Sequence, residues 1–162
     1  MVTAMALRSC VGSRINEPLL QAVEEAIKDS AASRLNDLLS AGHLSSSELA
    51  HKSLLHQAAW LGHTTCVRLL LDYGASPDEP HRKNGCTPLH LAHFCTVVED
   101  TNPGATIRTL VAAGADINNP GGRKCGKIPI AHAIQHQRID SVQVLLSEGS
   151  QVRRCDLRGE TV

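Results

Sequence analysis

The chain has 162 residues, enough for one ordinary domain and too few for two of full size. Apolar residues make up 42 % but aromatics only 2 %, so leucine and alanine carry the burial, which favours closely packed helices and excludes a typical all-β domain or a disordered chain. Lysine plus arginine (16) balances aspartate plus glutamate (16), so no net field draws the chain to nucleic acid or a membrane surface, and no apolar run approaches the ~20 residues that span a bilayer.

Residues 1–15 read as a flexible N-terminal tail. Met1 to Arg14 carries arginines and no acid, a faint likeness to a transit peptide, but a plain frayed tail is the expectation. From residue 16 onward the chain repeats itself. Leu38-Leu39-Ser40-Ala41-Gly42 closes a first, polar unit that holds Glu24, Glu25, Asp29 and Asp37. Ser53-Leu54-Leu55-His56-Gln57-Ala58-Ala59 opens a second helix pair, and Leu69-Leu70-Leu71-Asp72-Tyr73-Gly74-Ala75 ends it. Thr87-Pro88-Leu89-His90-Leu91-Ala92-His93 and Thr109-Leu110-Val111-Ala112-Ala113-Gly114-Ala115 frame a third. Ile128-Pro129-Ile130-Ala131 and Val144-Leu145-Leu146-Ser147-Glu148-Gly149-Ser150 frame a fourth, and Asp156-Leu157-Arg158-Gly159-Glu160-Thr161 opens another.

These motifs, Thr87-Pro88-Leu89-His90 above all, resemble the ankyrin-repeat family, whose unit is about 33 residues with a TPLH-x-A signature. The resemblance implies an all-α solenoid of stacked helix–turn–helix units with β-hairpin or turn fingers. It gives four repeats and the start of a fifth in a single domain over residues 16–162. The units are about 16–47, 48–81, 82–122 and 123–155, with a partial one at 156–162.

Two short antiparallel helices cannot bury an apolar face alone, so neighbouring units must stack. Pro88 and Pro129 fit a first helical turn, where no hydrogen bond is lost. Gly42, Gly74, Gly114 and Gly149 suit the left-handed residue that closes a helix. Leu35, Val67, Ile107 and Val142, followed one turn later by Leu38-Leu39, Leu70-Leu71, Leu110-Val111 and Leu145-Leu146, give a recurring apolar ridge. The stretch from Pro88 to Gly114 is six residues longer than Leu54 to Gly74 or Pro129 to Gly149. The excess falls near Val98-Glu99-Asp100-Thr101-Asn102-Pro103 and reads as a surface loop between helices.

Little in the chain suggests chemistry. No phosphate loop, nucleophile elbow or HExxH motif occurs, so no enzyme and no cofactor are expected. The six cysteines lack a CxxC pair and suit a reducing compartment, with cytoplasmic or nuclear residence expected. Cys86, Cys95, Cys125 and Cys155 fall near the turns, with nothing adjacent in sequence to force a low pKa. The resemblance assigns His56 and His90 to backbone bridging and His63 to the inter-helix turn. His81, Cys86, His90, His93 and Cys95 are dense, but Thr87-Pro88 starts a helix between them, and no metal site is expected.

The functional expectation is a non-catalytic protein–protein interaction module, an adaptor or scaffold that uses a concave groove and finger tips. Two alternatives are the targeting or regulatory part of a longer protein, such as a ubiquitin-ligase subunit, and a short inhibitor of a kinase or transcription factor. Trp60 and Phe94 hold the same position in successive repeats and are expected as neighbours in the groove, with Leu61 and Cys95 beside them and Gln135 and His136 continuing the row. Lys52, Lys83, Asn84, Lys124 and Lys127 form the expected polar rim. Arg82-Lys83, Arg123-Lys124 and Arg153-Arg154 suggest a positive finger row that steers an acidic protein partner, not nucleic acid. Membrane insertion is not expected. Val142, Leu145 and Leu146 of the last full unit are expected to be partly uncovered and to allow self-association. Asp116-Ile117-Asn118 with Leu110 upstream resembles the pattern of the asparaginyl hydroxylase that modifies ankyrin repeats, which makes Asn118 a candidate modification site.

Overall fold

Proline and glycine set the element boundaries. In the computed structural model, which describes residues 17–42, 44, 53–95 and 102–151, the helices are α1 (Glu17–Lys28), α2 (Ala32–Gly42), α3 (Leu54–Leu61), α4 (Thr64–Asp72), α5 (Pro88–Leu91), α6 (Pro103–Ala112), α7 (Pro129–Gln135) and α8 (Ile139–Ser147). They form four antiparallel pairs. First helices pack on first helices (α1, α3, α5, α7) and second helices on second helices (α2, α4, α6, α8), so each pair contacts only its neighbours, as in a solenoid. The described residues contain no strand, and none of their helices is long and apolar enough to cross a membrane. The partial unit at 156–162 lies outside the described residues.

The expected ridge is the core. Leu35, Leu39, Val67, Leu70, Ile107, Leu110 and Leu145 are buried, while Leu38, Leu71, Val111 and Val142 pack half-buried against them. Exposure at the last pair falls on Ile139 (70 %) and Leu146 (50 %). Leu145 is buried, contrary to expectation, as a member of the same core cluster as Leu110.

Pro88 and Pro129 begin their helices as expected. Gly74, Gly114 and Gly149 take positive φ after helix ends, but Gly42 lies inside α2. The proposed inserted loop is shorter than expected at its C-terminal end. Asn102 caps α6, its Oδ1 accepting the Ala105 N–H at 2.9 Å, and Pro103 is the buried first residue of that helix. Residues 98–101 lie outside the described residues.

The fingers between pairs are turns without a strand ladder. His81 N–H donates to the Cys86 carbonyl at 2.8 Å, and Gly85 N–H donates back to the His81 carbonyl at 2.7 Å. Successive fingers touch through Gly122 N–H and the Gly85 carbonyl at 2.6 Å. This approach requires glycine. Gly121 has φ +71°, and a Cβ there would stand 2.7 Å from the Gly85 oxygen.

Candidate groove between first helices and fingers

The first helices and the fingers enclose two adjoining depressions. One is lined by Ser53, His56, Gln57, Trp60, His81, Asn84 and Leu91. The other is lined by Asn84, Cys86, Leu91, Phe94, Lys124, Cys125, Lys127, His132 and Gln135. Trp60, in the last turn of α3, is 52 % exposed. Phe94 lies beyond the one-turn α5, in the turn that follows it. Trp60 and Phe94 therefore line neighbouring depressions that share Leu91 and Asn84, without ring contact. Phe94 instead packs on imidazoles, 4.4 Å from His93 and 4.7 Å from His136.

Two members of the expected row face inward. Leu61 is half-buried against the core, and Cys95 is 6 % exposed with its thiol directed at the Ala92 carbonyl at 3.5 Å. Trp60 is exposed and Phe94 half-buried, while the residues that follow them turn toward the core. Gln135 and His136 are exposed at the end of α7 and continue the row as expected. Lys83, Asn84 and Lys124 are exposed on the fingers, with Lys124 Nζ donating to the Lys83 carbonyl at 3.2 Å. Lys127 Nζ donates to Gln135 Oε1 at 2.8 Å, tying the rim to the row. Lys52 lies outside the described residues. Among the described residues, Arg82, Lys83, Arg123 and Lys124 make no ion pair with a carboxylate.

Asn118 lies in the turn after Gly114, half-buried. Its N–H donates to Asp116 Oδ1 at 2.9 Å, and its own Oδ1 accepts the Gln151 N–H at 3.0 Å, linking this turn to the next repeat.

The histidines divide by their hydrogen bonds. His56 Nε2–H donates to the Cys86 carbonyl at 3.1 Å, and burial, reinforced by the nearby His81, lowers its pKa to about 4. His90 uses both nitrogens. Nε2–H donates to the Lys127 carbonyl at 2.6 Å, while Nδ1 accepts from the Thr87 N–H at 3.1 Å and the Thr87 hydroxyl at 2.8 Å. The backbone bridging implied for this pair is thus present. His93, His132 and His136 instead face one another across the junction of the third and fourth pairs, with ring centroids 4.9 to 5.5 Å apart. Burial, then the neighbouring His132, lowers the His93 pKa to about 3, and burial followed by His90 lowers that of His132. The dense set weighed from sequence (His81, Cys86, His90, His93, Cys95) does not converge in this way. Its members split between the two depressions and the core. The missed signal was the four-residue spacing of His132 and His136, which places both rings on one face of a helix.

The cysteines also depart from expectation. Cys86 Sγ donates to Cys125 Sγ at 3.3 Å across successive fingers. That hydrogen bond, with His90 adding to it, favours the Cys125 thiolate, and the same bond raises the Cys86 pKa. The two thiols are distant in sequence, so only finger stacking reveals the pair.

Residues 19–120 match the family model described as ankyrin repeats (3 copies), and the chain belongs to the ankyrin-repeat family. Members of this family are generally protein–protein interaction modules and are typically non-catalytic.

Proposed function

We propose that this protein is a non-catalytic adaptor that binds an acidic protein partner in the groove between its first helices and fingers. The observation that carries this reading is Trp60, half-exposed in one depression, with Lys124 and Lys127 lining the adjoining one and making no ion pair with a carboxylate among the described residues. An exposed tryptophan in a concave site is the residue type that most often dominates an interface, and rim charges of one sign steer association. Compartment, cytoplasmic or nuclear, belongs to the same proposal. Regulation of a kinase or transcription factor, and substrate targeting within a longer chain, are forms this recognition would take. A second reading, self-association through the last pair, is favoured by the exposed Ile139 and Leu146.

The test is quantitative capture from cell extract with wild-type and Trp60→Ala protein, with Arg68→Ala on exposed α4 as control. Losing a hot-spot tryptophan costs about 2 kcal/mol of binding, a fall of roughly 30-fold in affinity. The expected result is partners lost by Trp60→Ala, kept by Arg68→Ala, and melting temperatures near wild type for both. Capture unaffected by Trp60→Ala overturns the groove reading.

A further inference from the structure

His93, His132 and His136 each bring one ring nitrogen into a group whose members all lie within 4.8 Å of one another. His93 is 1 % exposed, and neither of its ring nitrogens has a hydrogen-bond partner among the described residues. Buried His132 Nδ1 is unpartnered in the same sense. Buried polar atoms are nearly always bonded, so unpartnered nitrogens on two of the three converging rings need an explanation. Ordinary packing does not provide one. The matching position in the second repeat is Ala59, fully buried, so the fold itself needs no imidazole there.

We propose that His93, His132 and His136 form a binding site for a late first-row divalent cation of the zinc(II) class, joining the third helix pair to the fourth. An all-imidazole donor set suits zinc, cobalt, nickel or copper, whereas calcium and magnesium require oxygen ligands. His132 lies on α7 and His136 caps it four residues later, its N–H donating to the His132 carbonyl at 3.2 Å, the spacing that puts two ligands on one helical face. His93 enters from the turn after α5. Tetrahedral zinc with bonds of about 2.0–2.1 Å needs nitrogens roughly 3.4 Å apart. Closing from the present separations requires a small inward turn of His136, the exposed member of the group. Three protein ligands leave a fourth position, open on the His136 side to water or to a donor from another molecule. Phe94 packs against His93 and His136 and flanks the site on one side. Arg138, anchored on the Phe94 carbonyl at 3.5 Å, is the cation that opposes the metal's charge at His93.

Cobalt(II) titration of the full chain, stripped of metal, tests the site, with zinc(II) as competitor. The expected result is one equivalent of cobalt with visible bands of an all-nitrogen, low-coordinate site, no thiolate charge-transfer band, and displacement by zinc. His136→Ala removes an exposed ligand without disturbing the core, and should weaken binding by roughly tenfold or more, the scale that loss of even an outer-sphere partner produces. The Cys86→Ser/Cys125→Ser double variant should bind as wild type does. No uptake by the wild-type protein at micromolar concentrations, equal uptake by His136→Ala and His132→Gln, or a thiolate band lost in the double serine variant would each overturn the proposal.

Discussion

The groove holds buried imidazoles whose surroundings differ in one respect. His90 is bonded at both nitrogens, to Thr87 and to the Lys127 carbonyl, and His56 is bonded to the Cys86 carbonyl. His93, equally buried and only three residues from His90, is bonded at neither. Burial therefore does not separate a structural histidine from one free for another task; saturation of its hydrogen bonds does. The bonded imidazoles hold a finger to its neighbour, so their energy appears in folding. The unpartnered nitrogens of His93 and His132 cost the fold something and return nothing until a ligand arrives.

The largest expected effect is on the bonded side. His90→Ala strands the buried Thr87 N–H and hydroxyl and the Lys127 carbonyl, and should cost about 3 kcal/mol in urea unfolding. A loss well under 1 kcal/mol would mean that the bridge is ornamental, and the comparison would fail. Acid gives the next effect, through His56. Its folded-state pKa of about 4 lies below the ordinary 6.5, so the unfolded chain takes up the proton first as pH falls. Its contribution is complete above about pH 6.5 and is lost as pH drops toward 4. The groups that set this are its burial, His81 packed edge-on 5.3 Å away, and more weakly His90, against the Cys86 and Glu79 carbonyls. At pH 5 the loss is roughly 2 kcal/mol. Urea unfolding at pH 7 and pH 5 should show at least that dependence in the wild type, since buried His93 and His132 act in the same direction, and one smaller by about 2 kcal/mol in His56→Gln. Equal slopes would remove His56 from the account.

Most of the fold was legible in the sequence because it depends on local periodicity. Pro88 and Pro129 announce helix starts, and Leu70, Leu110 and Leu145 recur at fixed offsets from the closing glycines, so the stacking ridge follows from spacing alone. The exposed row was partly legible. Trp60, Gln135 and His136 are exposed as their register implies, but Leu61 packs half-buried against the core and Cys95 is buried. What sequence could not show are contacts made only by stacking. His93 meets His132 and His136 across a repeat junction, and Cys86 meets Cys125 across two fingers, at separations no local motif encodes. Gln137 is a smaller instance. It holds φ +57° where the second repeat has Gly62 at +75°, a left-handed turn kept by the stack without the residue that favours it.

The central claim is that hydrogen-bond saturation separates the histidines that hold the fold from those kept for a ligand, and His93→Leu tests it most directly. Leucine nearly conserves the volume of the imidazole and removes two unpartnered buried nitrogens. Equilibrium urea unfolding in the presence of a metal chelator should find this variant as stable as the wild type or more stable by up to about 1 kcal/mol. A loss of about 2 kcal/mol or more, the size expected of a broken buried bridge, would show that His93 holds the fold as His90 does, and would contradict the account.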